Sequence, residues 1–464
     1  MFCARPTLAV ATLVFLATVL GTGALHAGDC PGPTGHLIGA ARSVTGLGLA
    51  VDVHGRYAYF GDWGPYVGVL QVFDVADPSN PVRLPGWTTT GQEIGDLVVH
   101  DGNAFIANDL VGFSIYDVST PTAPHYVTSR YDGGGYAHNV WYDGGRWAYV
   151  GFGWSDHVAI YDMNVFPALA PTRYRGHPGI RDVFVVGNRL YVFSGPGLDI
   201  VDVSTPTAPV RIGRAELPVS LYGGGGEVKV QGDYAYFSMA NTSHHIGGLR
   251  IVDISTETAP VVVGSIDIDT RGAYAKGIGV AVACDRAYVA AEGGLHIFDV
   301  SDRTNPTRLT TLPVPAMFGD AIAARVQIVG NLAYVTMYDD RAPNTGGLAI
   351  YRLTVPVEVD IMPGSDKNPC NLASKGFVPV AILTTATFDA ASVRAGTVRF
   401  GSDGAAMAHE AAHLEDVDGD GDTDLLLHFR MEETGMQSGD TSCALTGLTR
   451  SGWLIEGSDI VTTK

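Results

Sequence analysis

One phrase of thirteen residues, Gly197-Leu198-Asp199-Ile200-Val201-Asp202-Val203-Ser204-Thr205-Pro206-Thr207-Ala208-Pro209, constrains the fold most, because it recurs. Related copies surround Asp74 (GVLQVFDVADPSNP), Asp117 (GFSIYDVSTPTAP), Asp253 (GLRIVDISTETAP) and Asp299 (GLHIFDVSDRTNP). A degraded copy surrounds Asp162, and a terminal one, GLAIYRL, puts Arg352 in the aspartate position. Successive spacings are 43, 45, 40, 51, 46 and 53 residues. A period of roughly 40 to 50 residues, built from short apolar runs and Gly/Pro turns, is the pattern of propeller blades.

Each unit divides into four strands. A short apolar strand such as Val183 to Val186 is followed by an aromatic one, Tyr57-Ala58-Tyr59-Phe60 in the first copy and Tyr234-Ala235-Tyr236-Phe237 in the fifth. The third is the Leu-x-Ile-x-Asp strand, nearly continuous in apolar residues because blades pack on both faces. A Ser/Pro turn and a fourth strand complete the unit, with the aspartate expected to cap that turn through backbone N–H groups. The seventh unit stops at Leu353 in its third strand. Its missing strand is matched at the N-terminus, where His36-Leu37-Ile38-Gly39 repeats the pattern of Val261-Val262-Val263-Gly264. Pairing the two removes two open sheet edges, so the ring is expected to close through the N-terminal strand. The fold class is therefore all-β: a seven-bladed β-propeller over residues 28–356 and a small β-rich domain over 357–464.

The Arg250-Ile251-Val252-Asp253-Ile254 strand and its copies resemble the LVIVD-repeat family of exported bacterial propellers, over about residues 36 to 355. The resemblance implies a propeller with a surface or extracellular role and no common reaction. Units three and seven depart from the motif. Residues 357 to 464 resemble a module appended to the C-terminus of many exported bacterial proteins.

Other features agree with export. Arg5 precedes an apolar run from Thr7 to Leu20 and a small-residue stretch ending at Ala27, which reads as a signal peptide over residues 1–27. The run falls short of the ~20 residues that a membrane-spanning helix needs. The mature chain is expected in the extracellular space or the periplasm, without membrane insertion. Its 48 acidic against 29 basic residues give a net charge of −19, which repels phosphate backbones and excludes nucleic acid as a natural partner. Four cysteines follow the signal segment; Cys370 with Cys443 is the expected bridge, leaving Cys30 and Cys284 as the remaining two.

The C-terminal region contains Asp416-Val417-Asp418-Gly419-Asp420-Gly421-Asp422-Thr423-Asp424. Alternating carboxylates let a tight loop converge hard oxygen ligands on one ion, and five like charges in nine residues repel unless a cation offsets them. Asp416, Asp418, Asp420 and Asp424 are expected to ligate calcium through side chains and Asp422 through its carbonyl. The loop resembles the integrin-type calcium loop. His409-Glu410-Ala411-Ala412-His413 satisfies H-E-x-x-H, but the acidic loop begins three residues later, leaving little room for the helix that a zinc protease requires.

In a propeller, loops entering the inner strands and loops joining second to third strands gather on one face. The repeat alignment puts Asp96, His138, Asn139, Arg181, Asp182, Glu227 and Arg325 near inner-strand starts. It adds Trp63, Tyr66, Asp109, Trp154, His157, His244, His245, Asp339 and Arg341 from the other loops. Such a mouth is read first as a binding site for a glycan, peptide or protein. The alternative is a carbohydrate-active enzyme, a polysaccharide lyase or hydrolase, in which Tyr136 or His138 moves the proton and Arg181 neutralises a uronate.

Overall fold

The computed structural model describes residues 32–62, 67–133, 135–153, 155–168, 170–195, 197–217, 226–241, 246–269, 279–339, 345–408, 412–450 and 452–464. Among these, β-strands and four short 3-10 turns make up the regular structure. The expected signal segment lies outside them. No helix of the described residues is long and apolar enough to cross a membrane.

Among the described residues seven antiparallel units follow one another, each with its first strand innermost, and the outer edge of the first unit is shared by two short strands, Val82–Arg83 and Thr88–Thr89. The inner strands are Gly48–His54, Asp96–His100, Tyr136–Trp141, Ile180–Val186, Val228–Gln231, Gly279–Ala283 and Ile322–Val329. Each packs against the next, and the seventh packs against the first. Apolar residues at every interface drive this arrangement. Phe60 and Phe73 of the first unit meet Tyr334, Leu348 and Ile350 of the seventh, and Phe193 of the fourth meets Phe237 of the fifth. Fully burying one such side chain contributes ~1.5–3 kcal/mol.

The fourth strand of the seventh unit is Thr34–Arg42, paired antiparallel with Gly347–Pro356, Leu37 opposite Tyr351 and Gly39 opposite Ile350. Gly39 is required by close approach. A Cβ there would meet the Pro78 carbonyl oxygen of the first unit at 2.2 Å. The same contact recurs between Gly213 and the Glu257 carbonyl, and between Gly264 and that of Arg303. The N-terminal segment thus takes the place and the local chemistry of an ordinary outer strand.

The repeat aspartates cap their turns. Asp74, Asp117, Asp162, Asp202, Asp253 and Asp299 each accept a hydrogen bond from the backbone N–H two residues on, at 2.7 to 3.1 Å.

The last strand of the seventh unit runs on into the C-terminal region, where Val355 and Pro356 pair in parallel with Ile455 and Glu456. Two sheets enclose a core there that includes Ile361, Val380, Phe400, Leu427, Phe429, Leu445 and Ile455. Cys370 and Cys443 both lie in this core as free thiols, so the expected bridge between them is not formed. Cys370 stands opposite Thr463 and Cys443 opposite Asp459. Burial and the neighbouring Cys370 push the Cys443 thiol up to about 11, which disfavours the thiolate that exchange chemistry needs. Cys30 lies outside the described residues.

Candidate functional site

An inner strand has a hydrogen-bonded neighbour on one side only, so its other edge presents backbone N–H groups to the propeller axis. Such groups need acceptors when water is excluded. The preceding unit supplies them. The N–H of Val140 donates to Asp96 Oδ2 at 3.1 Å, that of Val228 to Asp182 Oδ2 at 2.8 Å, and that of Val280 to Glu227 Oε2 at 2.8 Å. One step deeper, Val99 donates to Asp52 Oδ2 at 2.6 Å and Val53 to Gln327 Oε1 at 2.7 Å. Gln327 Nε2 in turn donates to Asp52 Oδ1 at 2.9 Å. Side-chain acceptors thus latch the first unit to the second, the second to the third, the fourth to the fifth, the fifth to the sixth and the seventh to the first.

Three residues expected to touch ligand, Asp96, Asp182 and Glu227, therefore have a structural duty. The sequence reading missed Asp52, Gln327 and Lys229. Their signal was available: each stands opposite a tyrosine of the aromatic strand, Tyr59, Tyr334 and Tyr236, as a polar residue between apolar neighbours.

Charges from several units meet around this end of the axis. Arg325 Nε lies 3.0 Å from Glu227 Oε1, joining the seventh unit to the fifth, and Lys229 Nζ lies 4.0 Å from the same oxygen. Burial, with Asp182 beside it, pushes the Asp96 carboxyl up to about 7, although part of the residue remains open to solvent. Burial likewise takes Asp182 to about 6, with Lys229 opposing and Glu227 reinforcing the shift. Burial also works against the Lys229 charge, but Glu227, Asp182 and Asp96 outweigh it and hold the ammonium above its ordinary range.

Tyr136 and His138 begin the third inner strand with ring centroids 6.5 Å apart, and Tyr136 is exposed. Asn139, at the next position, is buried, and its Oδ1 has no hydrogen-bond partner among the described residues. Arg181 is half-buried, and burial lowers its pKa. Asp109 adopts a left-handed φ of 35° and pairs with Ala137, and burial pushes its carboxyl up to about 6. Asp339 is buried and accepts from Thr345 Oγ1 at 2.7 Å. Trp63, Tyr66, Trp154, His244, His245 and Arg341 lie outside the described residues.

His157 differs from its expected place at the mouth: its side chain is 3% exposed and stacked on Phe152. Its Nε2 lies 2.9 Å from Asp132 Oδ2 and its Nδ1 3.0 Å from Ser155 Oγ, an order that looks like a hydrolase triad. The hydroxyl of Ser155, however, donates to the Phe152 carbonyl at 3.0 Å, so its single proton is directed away from the imidazole. Arg173 grips both oxygens of Asp132 at 2.6 and 2.8 Å. Burial opposes ionisation of Asp132, but hydrogen bonds from His157 and Arg173 hold its carboxyl below the usual range. The group fastens a loop to the outer strand.

In the C-terminal region, residues 416–423 link two paired strands, with Glu415 opposite Asp424. Carboxylate oxygens of Asp416, Asp418 and Asp420 lie within 4.8 Å of one another. Asp422 Oδ1 is buried without a hydrogen-bond donor among the described residues. Burial, then the charge of Asp420, raises the Asp422 pKa. Asp424, expected to ligate through its side chain, accepts from the backbone N–H groups of Thr384 at 2.8 Å and Val417 at 2.9 Å. His413 heads a strand, and His409, Glu410 and Ala411 lie outside the described residues.

The LVIVD repeat model matches residues 46–86, 93–132, 180–216, 223–268 and 276–311, so the chain carries five LVIVD repeats. No curated protein matches it. Among solved structures, the WD40 domain of Toxoplasma gondii coronin is similar at 10% identity and TM-score 0.48, covering 71% of this chain and 89% of that one. The Neurospora crassa Pan2 WD40 domain is similar at 10% identity and TM-score 0.45, covering 66% and 89%. The computationally designed Ika8 protein is similar at 11% identity and TM-score 0.45, covering 69% and 100%.

Proposed function

We propose that this LVIVD-repeat propeller is a secreted scaffold that binds a glycan, peptide or protein at the mouth of its ring and carries a structural calcium ion in its C-terminal module. The observation that carries the binding reading is convergence. Asp96, Asp182, Glu227 and Arg325, from four different units, meet around one end of the axis, and Arg325 reaches Glu227 two units away. Latches tie the units of Asp96, Asp182, Glu227 and Arg325 to a neighbouring unit, so the rim is preorganised and a ligand meets it at low ordering cost. The exposed Tyr136 and its contact with His138 offer an aromatic and a proton-exchanging group on the same rim. That contact is also what favours the second reading, a carbohydrate-active enzyme using proton transfer.

Calcium suits the acidic loop because three converging carboxylates and an undonated Asp422 oxygen are hard ligands on a flexible turn. In that arrangement Asp416, Asp418 and Asp420 hold the ion, Asp422 adds an oxygen, and Asp424 braces the loop instead of closing the shell. Screening the purified protein against immobilised glycans, polyuronates and peptides, with parallel assay for new unsaturated ends, separates the two readings. Saturable binding without turnover supports the scaffold, turnover supports the enzyme, and neither in any arm overturns both.

A further inference from the structure

Arg325 is 8% exposed, yet its guanidinium is incompletely used. Nε approaches Glu227 at ion-pair distance without hydrogen-bond alignment, and Nη1 has no acceptor among the described residues. The nearby carboxylates already have backbone donors: Leu97 and Val140 bond to Asp96, Val183 and Val228 to Asp182, and Val280 to Glu227. Turning any of them fully toward Arg325 would open a latch. A buried, charged donor calls for an oxygen acceptor, and the described residues do not supply one to Nη1.

We propose that the axial site takes a carboxylate-bearing small molecule, with Arg325 receiving the carboxylate. A guanidinium presents a planar fork of donors that fits a carboxylate better than it fits a lone hydroxyl. Lys229, on the same side of the axis, supplies a second positive charge. The site rests on the ligand-binding reading above and names the chemistry of that ligand.

Charge balance links this binding to protons. Asp96, Asp182 and Glu227 face Lys229 and Arg325, so an added anion is opposed unless one carboxylate is neutral. Asp96, held near 7, is the group that takes up the proton. It faces Asp182 on the fourth inner strand, Glu227 and Lys229 on the fifth and Arg325 on the seventh; Asp52 on the first and His138 on the third belong to the strands packed beside it. Binding therefore strengthens as pH falls from 8 to 6.

The test is isothermal titration of the full chain with D-galacturonate, acetate and galactose at pH 6 and pH 8. Galacturonate is expected to bind, more tightly at pH 6, with acetate weaker and galactose silent. Arg325→Gln should weaken galacturonate by about tenfold or more, and Arg325→Lys, which keeps the charge and loses the fork, should also weaken it. No heat from galacturonate or acetate at either pH overturns the proposal whatever the variants do. An unchanged Kd in a folded Arg325→Gln protein also overturns it. If a neutral glycan or a peptide binds the mouth while both carboxylates fail, the carboxylate site falls and the broader reading stands.

Discussion

Asp96 Oδ2 accepts the backbone N–H of Val140 at 3.1 Å, so a side chain of the second unit closes the open edge of the third. Its other oxygen accepts from Leu97 at 2.9 Å. Asp96→Ala leaves both donors without their acceptor and should cost ~1–3 kcal/mol in urea unfolding, toward the lower end because burial already works against the charge. Asp96→Asn keeps an acceptor oxygen and should cost less than the alanine variant.

The same residue sets a pH response. A carboxyl whose folded pKa is raised binds more protons folded than unfolded, so its contribution is present at low pH and lost as pH rises through the folded value. For Asp182 and Asp96 the loss runs from the ordinary carboxylate range up to about 6 and about 7. The melting temperature should be higher at pH 5.5 than at pH 8, and Asp96→Asn should shrink the difference. General repulsion from the net charge of −19 acts in the same direction, so a slope unchanged in the variant would show that Asp96 is not its source.

Deleting Thr34–Arg42 should expose the edge of Gly347–Pro356 and remove the packing of Gly39 against the first unit. The truncated protein is expected to unfold at lower temperature, less cooperatively, with scattering that grows on standing. A melting curve identical to the parent would contradict ring closure through this strand.

Calcium should raise the melting temperature of the full chain relative to chelator, by ~2.7 kcal/mol of stabilisation at a hundredfold excess over Kd. Asp418→Ala should abolish most of the increment. Asp424→Ala should lower stability in chelator as well, because its oxygens brace the Thr384 and Val417 amides. Equal curves with and without calcium, and no calcium by elemental analysis, would leave the loop a solvated turn.

What was legible in the sequence was what repeats or is local. The aspartate of each third strand caps a turn two residues away, and the match of His36 to Gly39 with Val261 to Gly264 is a match of local pattern. The latches are not local: Gln327 and Val53 are joined across 274 residues, and no pattern near either one announces the other. Asp96, Asp182 and Glu227 were recognisable as unusual polar residues at inner-strand starts, but their bonds to the next unit's amides depend on how neighbouring strands are offset. His157 was placed at the mouth by alignment and is drawn inward by Asp132, a residue outside the repeat motif. The acidic loop was legible as a run of alternating carboxylates, whereas the bonds that Asp424 accepts from backbone amides depend on Thr384, from a distant segment.

The central claim, that a preorganised rim at one end of the ring is a binding site, is tested most directly by substituting His138→Ala together with Arg181→Ala and repeating the glycan, polyuronate and peptide screen by surface plasmon resonance. Both side chains lie at inner-strand starts, and neither supplies one of the interblade latches described above. The account predicts saturable binding by the parent that falls by about tenfold or more in the variant, with a melting temperature within a few degrees of the parent's. Binding that survives unchanged in a folded variant would place the site elsewhere, and a large drop in melting temperature would make the two residues part of the scaffold.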